Sequence, residues 1–76
     1  MSYFLNYTDE IIERKSKSFT FEKLEDAKRM LKEFKDTFAE ECDFMDCIIV
    51  ESDTPTHYEA TDGEDWITIQ ITKTLD

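Results

Sequence analysis

The sequence predicts an α+β domain in which one helix packs on an antiparallel sheet of four to five strands, in the order ββαβββ. Three patterns support it: helical spacing of apolar residues in the middle of the chain, period-two alternation near its end, and turn sequences between short apolar runs. The 76 residues are 39% hydrophobic and 13% aromatic, which suits one thin core rather than a disordered acidic chain. We therefore expect residues 1–76 to form a single domain.

The N-terminal third is predicted to form two strands. Residues 3–7 have the aromatic and apolar content of a strand, and residues 11–19 are predicted as a second strand. Thr8, Asp9 and Glu10 form the connection between them. Because residues 13–18 are polar, we expect the second strand to lie at an exposed edge of the sheet.

One helix is predicted at about residues 21–40. Its apolar residues recur at steps of three and four, the spacing of one buried helical face: Phe21, Leu24, Ala27, Leu31, Phe34 and Phe38. Thr20 is the predicted N-cap, and the acidic residues of the first turn suit the positive end of the helix dipole.

Three strands are predicted after the helix, at residues 44–50, 57–60 and 66–72. In the last of them the isoleucines alternate with Trp66 and three polar residues, which predicts one buried and one open face. Residues 53–56 and 61–64 have turn compositions, and the Asp62-Gly63 pair is typical of a hairpin. The three strands should form an antiparallel meander.

Charge is unevenly distributed along the chain, whose net charge is −10. Residues 1–35 hold seven acidic and eight basic residues, whereas residues 36–72 hold eleven acidic residues and no Lys or Arg. Such an anionic half disfavours nucleic acid or an anionic membrane as a direct partner and favours a basic protein.

The predicted strand order brings acidic residues from three segments to one end of the sheet. The first turn, the helix C-terminus and the last hairpin turn meet there, and we name the resulting group of eight carboxylates the acidic pole: Asp9, Glu10, Glu40, Glu41, Asp43, Asp62, Glu64 and Asp65. Carboxylates at a helix C-terminus oppose its dipole, which costs about 0.3–1 kcal/mol for each charge. We therefore interpret the acidic pole as a partner-binding surface. The alternative is that acidic loops only keep a small protein soluble.

Trp66 follows the acidic pole directly in the sequence. Its alternation places it away from the isoleucines, so it is a candidate anchor for a protein interface. Alternatively, it covers the edge of the sheet or packs on Tyr58.

No metal site, cofactor or enzymatic activity is expected. Cys42, Cys47 and His57 offer three ligands at loose spacing, and we expect Cys47 in the strand core and Cys42 at the loop. The acidic residues 62–65 lack the spacing of a calcium loop. A thin single layer offers little cleft in which paired carboxylates could shift their pKa.

These patterns favour a non-enzymatic inhibitor that binds the basic nucleic-acid-binding surface of a nuclease, restriction, CRISPR or other DNA- or RNA-handling protein. Small acidic phage proteins act in this way, and the likeness is in size and charge only. The alternative is a self-associating assembly module whose acidity is incidental, so a monomer and a homodimer both remain open. Without a signal peptide, a membrane helix or a disulfide framework, we expect the cytoplasm, or the host cytoplasm for a phage protein.

Overall fold

The computed structural model describes residues 2–74 and has the predicted fold, one helix on a five-stranded antiparallel sheet. Its elements are β1 (Ser2–Asp9), β2 (Lys15–Phe21), α1 (Leu24–Glu41), a 3₁₀ turn (Met45–Cys47), β3 (Ile49–Thr54), β4 (His57–Thr61) and β5 (Trp66–Thr74). The predicted order ββαβββ is therefore confirmed, as is the placement of the polar second strand at an edge.

The strands lie in the order β2-β1-β5-β4-β3, so the first and last strands of the chain are neighbours at the centre of the sheet. Their pairing runs from Ser2 opposite Thr74 to Asp9 opposite Ile67. Because β5 is paired on both sides, Ile67 and Ile69 are fully buried beneath the helix. This pairing brings residues that are far apart in the sequence next to each other at the centre of the sheet.

The core lies between α1 and one face of the sheet. Leu31 and Phe38 of the helix are almost completely buried. The ring of Phe34 stacks on Tyr7 of β1, with centroids 4.4 Å apart, and Phe38 meets Tyr58 of β4 edge-on at 6.4 Å. Fully burying one such side chain contributes about 1.5–3 kcal/mol, so a few contacts largely determine the stability of this domain.

The other face of the sheet, which we call the open face, is covered by no helix among residues 2–74. Register places small polar side chains on it, and Ser18 donates a hydrogen bond to Asn6 Oδ1 across the first hairpin at 3.0 Å. Phe4 lies on this face, opposite Thr72 of β5. A polar open face is normal for an antiparallel sheet with a single covering layer.

The predicted helix at about residues 21–40 is present, but it begins at Leu24, and the predicted N-cap at Thr20 is wrong. Thr20 and Phe21 are the last residues of β2, paired with Phe4 and Tyr3, so Thr20 is not the N-cap. The N-cap position is Lys23, whose side chain makes no capping hydrogen bond. Pairing with β1 prevails because Phe21 fits the alternation of a strand as well as the period of a helix.

The predicted strand at 44–50 is shorter than expected. Met45–Cys47 forms the 3₁₀ turn, and β3 begins only at Ile49. The predicted roles of the two cysteines are consequently reversed: Cys42 is buried at the end of the helix, four residues after Phe38, and Cys47 is exposed. The second strand is also shorter than predicted, because the first turn extends to Arg14.

Candidate protein-binding site

Strand register identifies which segments share one end of the sheet. Asp9, the last residue of β1, lies opposite Ile67 near the start of β5. Trp66 lies opposite Thr61 at the end of β4, and Thr61 lies opposite Ile49 at the start of β3. The first turn, the β4–β5 turn and the connection from α1 to β3 therefore all project from this end.

The residues of the acidic pole differ in exposure. Asp9 is buried, and Asp62 and Asp65 are half-buried. The other five carboxylates are exposed: Glu10, Glu40, Glu41, Asp43 and Glu64. The exposed five come from three separate segments of the chain, and no sequence-local pattern would have grouped them.

Asp9 has a structural position, because its side chain is only 2% exposed. Oδ1 accepts hydrogen bonds from the backbone N–H groups of Ile11 at 2.8 Å and Ile12 at 3.0 Å. Oδ2 accepts from Glu13 N–H at 3.3 Å and from the Tyr7 hydroxyl at 3.2 Å. Its carboxylate holds the first turn in shape and is not available to a partner, which corrects its predicted role.

Asp62 holds the β4–β5 turn in a similar way. Its Oδ1 accepts hydrogen bonds from the backbone N–H groups of Asp65 at 2.7 Å and Glu64 at 2.9 Å. These bonds lower the pKa of the Asp62 carboxyl. Gly63 has a φ of +104°, a conformation that other residues rarely adopt, and Thr61 Oγ1 accepts from its N–H at 3.0 Å. The side chain of Glu64 therefore projects from a turn whose backbone is held by hydrogen bonds.

Two cationic side chains lie beside the acidic pole, although the predicted strand boundaries did not place them there. Lys15 Nζ is 2.9 Å from Glu13 Oε2, and this hydrogen bond raises the pKa of Lys15. Arg14 precedes it in a left-handed conformation, with a φ of +53°. A shallow cavity of about 280 Å³ has these mixed charges in its lining: Thr8, Asp9, Glu10, Arg14, Lys15, Ser16 and Asp65. The pole is thus mixed in charge on the β2 side and purely acidic toward β3.

Four large exposed hydrophobic side chains lie at this same end, with Ile49 and Trp66 on the open face of the sheet and Val50 on the helix face. They are Trp66 at 41%, Phe44 at 42%, Val50 at 47% and Ile49 at 57% exposure. Sequence reasoning singled out Trp66 alone, since it assigned the run 44–50 to a buried strand. Trp66 does not pack on Tyr58, because Tyr58 is buried on the opposite face beneath the helix.

The Cys and His residues are not brought together. Cys42 is buried at the end of α1 and Cys47 is exposed in the 3₁₀ turn. His57 lies in β4, with Nε2 3.9 Å from Glu59 Oε2. Within residues 2–74, no group of three or more His, Cys, Asp or Glu side chains is arranged to hold a metal ion.

Comparison with known proteins gives no match: no family model, no curated protein and no solved structure matches the chain. The one long helix, α1, is too polar to cross a membrane, and no other helix within residues 2–74 has the length or apolar content for it. What this surface does must therefore be inferred from its own chemistry.

Proposed function

We propose that this protein is a non-enzymatic inhibitor that occupies the basic nucleic-acid-binding surface of a nuclease, restriction, CRISPR or other DNA- or RNA-handling protein. The observation that carries the proposal is the gathering of five exposed carboxylates from three chain segments at one end of the sheet. A basic groove is the complementary surface for such an end.

Side-chain hydrogen bonds hold the backbone of the two turns that carry Glu10 and Glu64. Asp9 hydrogen-bonds three backbone N–H groups of the first turn, and Asp62 does the same for two in the β4–β5 turn. A rigid surface loses less conformational entropy on association than a flexible acidic tail. Asp9, which is buried, and Asp62, which is half-buried, thus position the turns from which the exposed side chains of Glu10 and Glu64 project.

Charge supports fast association with a basic target. The net charge is −10, and all eleven acidic residues of 36–72 lie in a stretch without Lys or Arg. Such a field steers a cationic groove toward the pole and weakens as salt rises. Glu40 and Glu41 oppose the dipole at the end of α1, so their placement has a cost of about 0.3–1 kcal/mol for each charge.

Self-association through the sheet edges is less favoured by the structure. The edge strand β2 exposes Lys15 and Lys17. The other edge strand, β3, has a register shift between Val50 and Ser52 and carries exposed Asp53. Charged residues and bulges are the features by which natural sheets prevent edge-to-edge pairing. We therefore prefer a different protein as the partner over a second copy.

The proposal is tested by affinity capture with two variants of equal charge. One variant neutralises the pole with Glu10→Gln, Glu41→Gln and Glu64→Gln. Its control carries Glu22→Gln, Glu25→Gln and Glu33→Gln, which are exposed residues elsewhere in the fold. Both variants change the net charge equally, so only the position of the charge differs.

The wild-type protein and the control should capture one basic nucleic-acid-binding protein from host lysate at low salt, and the bound enzyme should lose activity. The pole variant should lose this capture, and about 0.5 M salt should abolish it. Equal loss of capture in both variants would mean that net charge, and not the position of the carboxylates, determines binding. Recovery of copies of the protein alone would overturn the proposal in favour of self-association.

A further inference from the structure

We infer that the target surface contains apolar side chains between its cations, as in a groove for single-stranded nucleic acid, and that Trp66 and Ile49 insert there. We call these two residues the apolar strip. The inference rests on the proposed function, because it specifies the partner of the same end of the molecule.

Strand register shows that the apolar strip is continuous at the acidic end. Trp66 and Ile49 flank Thr61 across three adjacent strands, all with side chains on the open face. Thr61 between them is only 6% exposed. Val50, the next residue of β3, pairs with Ala60 and so lies on the opposite face of the sheet. Trp66 and Ile49, which come from two distant segments, thus form one surface.

Trp66 and Ile49 are two of the four large hydrophobic side chains that are exposed within residues 2–74. The other two, Val50 and Phe44, lie at the same end of the sheet but are not part of the strip. Single exposed hydrophobic residues are ordinary, but a contiguous group rimmed by charges is typical of a binding surface. Tryptophan is also among the residues that dominate interface energies.

The charges around the apolar strip identify its occupant. Glu64 and Asp65 directly precede Trp66, and Glu51 lies two residues after Ile49. A second copy placed on this strip would bring like charges together. The partner must therefore combine cations with apolar or aromatic side chains.

Among nucleic-acid-binding surfaces, this combination distinguishes single-strand grooves from duplex grooves. Single-strand proteins combine a basic groove with aromatic side chains on which bases stack. Duplex contacts are made mostly to phosphates and sugars, and stacked bases offer no free face. Trp66 directly follows Asp65 in the sequence, so adjacent residues carry a flat ring and a negative charge, as an unstacked nucleotide carries a base and a phosphate.

Two synthetic peptides with the same number of lysines test the apolar contribution: one alternates Lys with Phe and the other alternates Lys with Gly. We expect the Lys-Phe peptide to bind at least about tenfold more tightly by calorimetry, because its aromatic side chains would be removed from water against Trp66 and Ile49. Trp66→Ala and Ile49→Ser should reduce its affinity to that of the Lys-Gly peptide. Phe4→Ala, on the open face away from the pole, should leave it unchanged.

The outcomes separate the two proposals. Equal binding of both peptides, unaffected by Trp66→Ala, would overturn the apolar strip while leaving the acidic pole as the binding surface. Failure of both peptides to bind would contradict the proposed function itself. For the captured protein, displacement by single-stranded oligonucleotide is expected, and displacement by duplex alone would overturn the single-strand assignment.

Discussion

The hydroxyl of Tyr7 donates a hydrogen bond of 3.2 Å to Oδ2 of Asp9, its neighbour on the buried face of β1. Burial, followed by the negative charges of Asp9 and Glu13, raises the pKa of Tyr7. Tyr7 therefore stays protonated and donates. The pair links the aromatic core, in which Tyr7 stacks on Phe34, to the turn that carries Glu10.

Replacing Asp9 should destabilise the fold rather than act on binding alone. Asp9→Ala leaves the partly buried N–H groups of Ile11 and Ile12 without their acceptor, which should lower the free energy of unfolding by about 1–3 kcal/mol. Asp9→Asn retains an acceptor oxygen and should cost less. Urea unfolding measures both, with Glu10→Gln as the exposed neighbouring control. Equal stability of Asp9→Ala and Glu10→Gln would contradict the structural role of Asp9.

The strongest sequence patterns predicted the fold well, whereas ambiguous residues misplaced its boundaries. The alternation of Ile67, Ile69 and Ile71 identified β5. Apolar residues at every second position fit the period of a strand and do not fit that of a helix. Phe21 fits a helical and a strand period, so only pairing with Tyr3 decides its element. Likewise, the central pairing of β1 with β5 joins the ends of the chain and has no local pattern.

Prediction of the candidate site shows the same division. Turn residues such as Glu10 and Glu64 were identifiable because the strand order fixes where turns lie. The burial of Asp9 was not, since its acceptor bonds form only when the turn closes. Trp66 was identified, but Ile49 was missed because an apolar run such as 48–50 resembles a buried strand, and its exposure depends on β3 being the edge of the sheet.

Two phenylalanines should separate stability from binding. Phe38 is 3% exposed and Phe44 is 42% exposed. Phe38→Ala should therefore lower the free energy of unfolding by about 3–5 kcal/mol, a large share of the stability of so small a domain. Phe44→Ala should change it by less than about 1 kcal/mol. Thermal or urea unfolding of the two variants provides the comparison, and similar losses would contradict the exposed position of Phe44.

Thiol reactivity should distinguish the two cysteines. Cys47 is exposed and Cys42 is 5% exposed beneath the end of α1. A thiol-specific chromogenic reagent should modify one thiol of the native protein rapidly, because access of the reagent limits the reaction. The second thiol should react only at the rate of unfolding or in urea. Cys47→Ser should remove the rapid phase, and a rapid phase that persists in this variant would contradict the assignment.

The Asp62 turn should make stability sensitive to acid. Hydrogen bonds from the backbone N–H groups of Asp65 and Glu64 lower the pKa of the Asp62 carboxyl below its ordinary value of 3.8, which the unfolded chain retains. The ionised form is therefore favoured in the folded state. Its stabilisation is fully present above the unfolded pKa and is lost as the pH falls through the lower folded pKa.

Asp62→Ala tests this dependence directly. At about pH 6 it should lower the urea midpoint relative to wild type, and below about pH 3 the difference should shrink because the unfolded carboxyl is then mostly protonated. Glu64→Ala, which removes an exposed carboxylate from the same turn, is the matched control and should show no such convergence. A constant difference between Asp62→Ala and wild type across this range would mean that the side-chain charge does not hold the turn.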